Sequence, residues 1–304
     1  MSQTPLHTVP PPITLPRARL GGNAFGVASM LAWAAAFPAA EALLQTWTPT
    51  GLIIARLVIV GVVLLPLWLL VDGMRSVRRA PWLTGLGIGA LGFGIGAWLL
   101  LIAQALTDPV TVAIIASACP VAAVLCEVLW DNRQLSRAFA LGLAATVIGG
   151  IIATGGGGVA LGLGALSAVI SCFLFSWGSF QTVRRLTGMT ALGQTALTMT
   201  GAAIAMLIIG VIGDSIGYAI WPVHLINETE LGLLAVYAVV GMALSQALWL
   251  AAVGKLGVAL AAFHINIAPF YVMLIMLALG GGWDWRAVIG AAVVAFGVLI
   301  AQRD

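Results

Sequence analysis

The sequence is short of charge. Its 304 residues include 13 Lys or Arg and 10 Asp or Glu, 8% in all. A soluble domain carries roughly 25%, so this chain cannot clothe itself for water. Cysteine is scarce as well: Cys119, Cys126 and Cys172 are the full set, each inside an apolar stretch. They have neither metal-ligand spacing nor polar company, which favours small buried thiols over disulfides or a metal site. No cofactor is expected. Clustered His, Asp or Glu at one end of the apolar stretches would point to a membrane-embedded enzyme, and no such cluster occurs. Rings of like charge and a carbonyl-filter motif are missing too, which argues against a channel.

What is present is apolar length. Hydrophobic residues make up 62% of the chain and the mean hydropathy is +1.11. The runs repeatedly reach the ~20 residues that cross the hydrocarbon as a helix. They are continuous rather than alternating, against a β-barrel. The expected fold class is therefore an all-α integral membrane protein. Ten transmembrane helices are placed at 22–44, 51–71, 82–104, 108–130, 137–154, 161–182, 191–213, 231–253, 257–279 and 286–302. Residues 1–20 are polar and proline-rich, and read as a disordered cytoplasmic tail.

The chain also repeats itself. Thr107–Ala153 holds an apolar span with an internal Pro120, a polar turn, and a Gly/Ala-rich span; Gly257–Ala301 has the same plan around Pro269. Ser117 falls against Asn266, and the spacing from Gly142 to Gly149 recurs from Gly290 to Gly297. A repeat of this length fixes architecture: five spans in residues 21–155, five more in 156–304. With an odd number of spans per half, the second half enters the membrane from the opposite side. Such inverted repeats recur in secondary transporters, whose site lies at mid-membrane between the halves.

Loop charge sets the orientation. With the N-terminus cytoplasmic, the inner side holds Arg17, Arg19, Arg75, Arg78, Arg79, Arg133, Arg137, Arg184, Arg185, Lys255 and Arg303. The outer loops hold only Arg286, as the positive-inside rule requires. Both termini are then cytoplasmic. The one long outer connection, Asp214–Glu230, is expected to lie along the membrane surface.

Few residues within the spans carry chemistry. Arg56 lies one to two turns into span 2 from the outer side, and Glu41 near the outer end of span 1. A charge at mid-bilayer costs about 3 kcal/mol on insertion scales, so Arg56 needs a partner or water. An ion pair with Glu41 is one reading; a vestibule that attracts a carboxylate is the other. No acid sits at mid-depth, where exporters of cations commonly hold one. His264, close to Asn266 and just before Pro269, is either a structural residue, a donor to a substrate carboxylate or a proton relay. Tyr237, Gly241, Ser245 and Trp249 share one face of span 8, with Gln246 alongside; Trp33, Trp98, Ser176 and Trp177 add aromatic and hydroxyl surface. Gly85, Gly89, Gly92 and Gly96 on span 3 favour close helix packing. Pro120 and Pro269 each free a backbone carbonyl four residues earlier and are read as matched bends that shape and gate a cavity. Gly/Ala-rich faces on spans 5 and 10 pack within a monomer or make a homodimer.

The motifs ALTDPVTVAIIASACPVAAVL and AVGKLGVALAAFHINIAPFYVML resemble the paired EamA-type repeats of the drug/metabolite transporter (DMT) superfamily, from Gly22 to Gln302. Within it the chain is similar to the YddG-type aromatic amino-acid exporters of bacterial inner membranes. The resemblance implies alternating access, a small-molecule cavity lined mainly by spans 3, 4, 8 and 9, and outward movement of amino acids. Trp98, Ser117, Tyr237, Ser245, Trp249, His264 and Asn266 are then the expected lining, with Glu41 and Arg56 at the outer mouth. The alternative is export of other metabolites or lipophilic cationic drugs. One departure is that the Gly-Glu pair many EamA repeats carry reads Trp130-Asp131 and Gly281-Gly282 here.

Overall fold

In hydrocarbon a backbone must satisfy its own hydrogen bonds, and a helix does so within one segment. The computed structural model describes residues 16–106, 112, 115–116, 119–131, 136–153, 162–222, 224–280, 283 and 285–301; among these every regular element is helical. Seven helices are long and apolar enough to cross a membrane: α1 (Arg19–Leu43), α2 (Pro49–Arg79), α3 (Trp82–Leu106), α6 (Leu163–Arg185), α7 (Ala191–Ser215), α8 (Glu228–Leu256) and α9 (Val258–Ala278). Shorter helices occupy the remaining apolar stretches: α4 (Cys119–Asp131), α5 (Arg137–Ala153) and α10 (Trp285–Ala301). The first described helix already begins at Pro16, inside the stretch expected to be an unpacked tail. Proline is well suited to a first helical turn, because its missing N–H is not needed there. The rest of that tail lies outside the described residues.

Local chemistry sets the helix ends. Thr48 caps α2 by accepting from the Gly51 N–H at 3.1 Å, with Pro49 following it. Thr190 caps α7 in the same way through Gly193. Asn227 and Glu230 form a reciprocal capping box at α8. Gly73 (φ 78°, ψ 160°) breaks α2, and a last turn beyond it carries Arg75, Arg78 and Arg79. That backbone conformation is open to glycine and strained for other residues.

Three helices change pitch partway. Gly89–Ile95 of α3 and Val236–Leu244 of α8 are wound as π-helix, while Phe263–Ile267 of α9 is 3₁₀. The α-helix resumes at Ala268 with Pro269 in its first turn, where the lost donor leaves no gap in the ladder. The expected proline bend in α9 is thus realised as a tightened turn just before Pro269. Pro120 is buried near the start of the described part of α4.

Helices associate through small residues. Gly92 of α3 and Gly178 of α6 meet backbone to backbone, and Gly241 of α8 faces Ala36 of α1; a Cβ added at either glycine would collide with its neighbour. Such contacts let helices approach closely in lipid. The main pairings are α1 with α8, α3 with α6 and with α7, α2 with α7, and α5 with α10; α4 touches α6 and α9, and α1 also touches α9. The Gly/Ala-rich faces of α5 and α10 therefore pack on each other. Two buried serines stitch pairs together. Ser29 donates to the Ser245 carbonyl at 2.8 Å and Ser171 to the Gly96 carbonyl at 2.7 Å.

The connection after α7 is tied to the α1–α2 turn rather than lying loose. Thr48 Oγ1 donates to the Ile220 carbonyl at 2.6 Å, and Thr46 Oγ1 to Glu230 Oε1 at 2.9 Å. His224 Nε2 meets the same carboxylate oxygen at 2.8 Å.

Candidate functional site

A cavity opens among α1, α2, α3, α4, α6, α8 and α9, with about 960 Å³ of atom-free space that includes the part open to solvent. Its walls are largely aromatic and aliphatic, among them Met30, Trp33, Phe37, Phe93, Phe175 and Tyr237. The α1 residues in the wall all lie from Met30 onward, those of α3 from Phe93 onward, and Arg56 lies near the start of α2. The cavity therefore occupies the half of the bundle nearest the α1–α2 turn. Toward the other end it closes on Trp249, whose indole donates to Ser179 Oγ at 2.8 Å and stacks at 5.3 Å on Phe175. Beyond that, Glu127 of α4 accepts from the Ala259 N–H at 2.9 Å, so its carboxylate caps the start of α9.

One formal charge lines the cavity among the described residues, Arg56. Its Nε donates to the Tyr237 carbonyl at 3.0 Å and its Nη2 to the Gly241 carbonyl at 2.9 Å. The guanidinium carbon also sits 3.8 Å from the centroid of the Tyr237 ring. Both carbonyls belong to the π-wound stretch of α8, where the regular i to i−4 ladder is interrupted. The expected ion pair with Glu41 is not made: Glu41 is exposed, and Arg56 is only 6% exposed and turned toward α8. Two charge-assisted hydrogen bonds at about 1.5–3 kcal/mol each, plus a desolvated cation–π contact of about 2 kcal/mol, offset the ~3 kcal/mol insertion penalty. A buried cation set in an apolar cavity, with its main-chain bonds made through Nε and Nη2, suits a carboxylate.

The structure places the other expected residues as follows. Tyr237, Ser245 and Trp249 line the cavity with Arg56. Trp98 does not: its indole donates to Thr50 Oγ1 at 3.1 Å, between α3 and α2, while its neighbours Gly96, Ala97 and Leu100 form the wall. His264 and Asn266 are buried beside the wall, which at this point is made by Ile265. A 3₁₀ turn of three residues sends adjacent side chains to faces ~120° apart, so one of these three lines the cavity and two turn away. His264 packs over Gly26 of α1, with Nδ1 3.1 Å from the Ala261 carbonyl. Asn266 makes no side-chain hydrogen bond among the described residues. Ser117 lies outside the described residues. Ser176 and Trp177 also stay out of the wall, Ser176 reaching the Cys119 carbonyl at 3.5 Å. Sequence reasoning did not assign Gln104, Ser171, Cys172, Phe93 and Phe175 to the cavity; π winding obscures the register of Phe93 and Gln104 on α3, whereas Ser171, Cys172 and Phe175 share one face of the regular helix α6.

A solved structure described as "Crystal structure of protein" has the same fold, with a TM-score of 0.74 at 18% identity, over 93% of this chain and 97% of that one. No curated protein matches the sequence. The EamA-like transporter family matches residues 20–155, which hold α1 to α5. The seven membrane-length helices and the cavity they enclose make this a multi-pass membrane protein, whose residues 20–155 are similar to the EamA-like transporter family.

Proposed function

We propose that the protein exports amino acids, aromatic or apolar ones, across the bacterial inner membrane by alternating access between two inverted five-helix halves, with both termini cytoplasmic. The observation that carries this reading is Arg56, held over an aromatic cavity without a carboxylate partner among the described residues. A substrate carboxylate pairs with the guanidinium, and its apolar side group meets Phe37, Phe93 or Phe175. The packing supports the two-half plan. Exchanging each helix for the one five places on turns α1–α8 into α6–α3 and α4–α6 into α9–α1, and all four contacts are present. The same exchange relates the two π-wound stretches. On the orientation given by the loop charges, the open end of the cavity faces outward.

Lipophilic cations fit less well, since no carboxylate lines the cavity among the described residues. His264 stands outside the wall, so flux as a uniport down the cytoplasmic surplus is the simpler mechanism. The test is counterflow in reconstituted vesicles with a panel of labelled amino acids, cationic dyes serving as competitors. The expected result is exchange of aromatic and apolar amino acids that Arg56→Gln slows at least tenfold and that collapsing the proton gradient leaves unchanged. Dye competition without amino-acid exchange would reverse the assignment.

A further inference from the structure

We infer that Gln246 is a specificity-determining residue that reads a polar atom at the far tip of the substrate, so that polar-tipped aromatic acids are preferred over plain ones. This deepens the reading just given and rests on it. Gln246 is 6% exposed, lines the cavity, and makes no side-chain hydrogen bond among the described residues; its Nε2 is buried without a partner. An unpaired buried amide forfeits about 1–3 kcal/mol, which a ligand partner would recover; Gln104 Nε2, also on the wall, is in the same state, and Gln246 is the one adjoining Trp249 at the closed end. Of its neighbours, Trp249 is engaged with Ser179, while Ser245 meets Ser29 through its main-chain carbonyl and keeps its hydroxyl for the cavity. Among the described residues, the Gln246 amide and the Ser245 hydroxyl beside it are the polar groups left for a ligand at this level.

The geometry gives the ligand its length. Arg56 is anchored on the carbonyls of residues 237 and 241, and Gln246 lies five to nine residues further along the same helix. The α-helical rise of ~1.5 Å per residue sets an upper bound of roughly 7 to 13 Å on their separation along α8, since the stretch up to Leu244 is π-wound and rises less. A carboxylate and a polar tip on opposite sides of an aromatic ring bridge that gap, with one hydrogen bond at each end. The amide both donates and accepts, so a phenolic hydroxyl or an indole N–H satisfies it, and an unsubstituted phenyl ring leaves it orphaned. A site built to hydrogen-bond a substrate group discriminates strongly against the analogue that lacks it.

The experiment measures competition by tyrosine, tryptophan and phenylalanine in vesicles containing the full-length protein, wild type and Gln246→Leu. Wild type is expected to prefer tyrosine and tryptophan over phenylalanine by about tenfold, and Gln246→Leu to erase the preference while leaving phenylalanine flux within about twofold. Gln246→Met, of similar length, should behave as Gln246→Leu does. Phenylalanine competing as well as tyrosine in wild type, or a variant that slows all three alike, overturns the role of Gln246 and leaves the amino-acid reading standing. Failure of all three to exchange in wild type brings down both.

Discussion

The hydroxyl of Ser29 on α1 donates to the main-chain carbonyl of Ser245 on α8, 2.8 Å away, at the residue where the π winding of α8 gives way to α-helix. Ser171 on α6 does the same at Gly96 on α3, again the first residue after a π-wound stretch. A change of pitch disturbs the backbone ladder, and a buried carbonyl at such a junction needs a donor. One serine from a neighbouring helix serves each junction.

Ser29→Ala should therefore destabilise the protein by about 1–2 kcal/mol, since it strands a buried acceptor. Ser171→Ala should cost a similar amount. The two sites lie on different helix pairs, so the double variant should be additive within about 0.5 kcal/mol. Thermal unfolding in detergent checks both points; a neutral Ser29→Ala would mean that the Ser245 carbonyl is served by something else.

Gly92 and Gly87 should respond with opposite signs. A Cβ at Gly92 would lie 2.6 Å from the Gly178 Cα, whereas one at Gly87 meets nothing within 4 Å. Gly92→Ala must push α3 and α6 apart and should lose about 1–3 kcal/mol. Gly87→Ala gains helix propensity and should gain up to about 1 kcal/mol. Equal effects in an unfolding assay would contradict the packing described.

Glu127 ties α4 to α9 at the closed end of the cavity. Glu127→Gln keeps an oxygen for the Ala259 N–H and loses only the charge at the helix start, about 0.3–1 kcal/mol. Glu127→Leu loses both and should cost about 1–3 kcal/mol. The leucine variant should also admit water to the closed end, seen as faster thiol labelling of a cysteine introduced at the half-buried Leu256. Labelling at the wild-type rate would separate this bond from closure.

Trp249 and Ser179 should be energetically coupled. Trp249→Phe removes the indole donor and preserves the ring contact with Phe175. In a double-mutant cycle with Ser179→Ala we expect about 0.5–1.5 kcal/mol of coupling. A value indistinguishable from zero removes this bond from the account of the cavity floor.

What could be read from the sequence, and what could not, follows helix pitch. Hydropathy located α1 to α3 and α6 to α9, because twenty apolar residues in a row leave a chain little choice. Arg56 was legible as a buried charge in need of partners, but its acceptors were not, since the carbonyls of Tyr237 and Gly241 depend on a winding that has no hydropathy signature. Trp98 was misplaced for the same reason. An α-helical projection assumes ~100° per residue, and the π stretch just before Gly96 rotates everything after it. Ala97 and Gln104 then face the cavity, and Trp98 faces Thr50. His264 and Asn266 sit in a 3₁₀ turn and fell to the converse error. Tyr237, Ser245 and Trp249 were placed on the wall because their four-residue spacing lies between the two periodicities that α8 combines.

The guanidinium of Arg56 grips α8 at two points one turn apart, both on a single rigid rod. Rotation of that rod about its own axis shears both bonds together, so the clasp has no half-open setting. In the proposed export cycle its release would then be cooperative, favouring two arrangements of the bundle over a continuum.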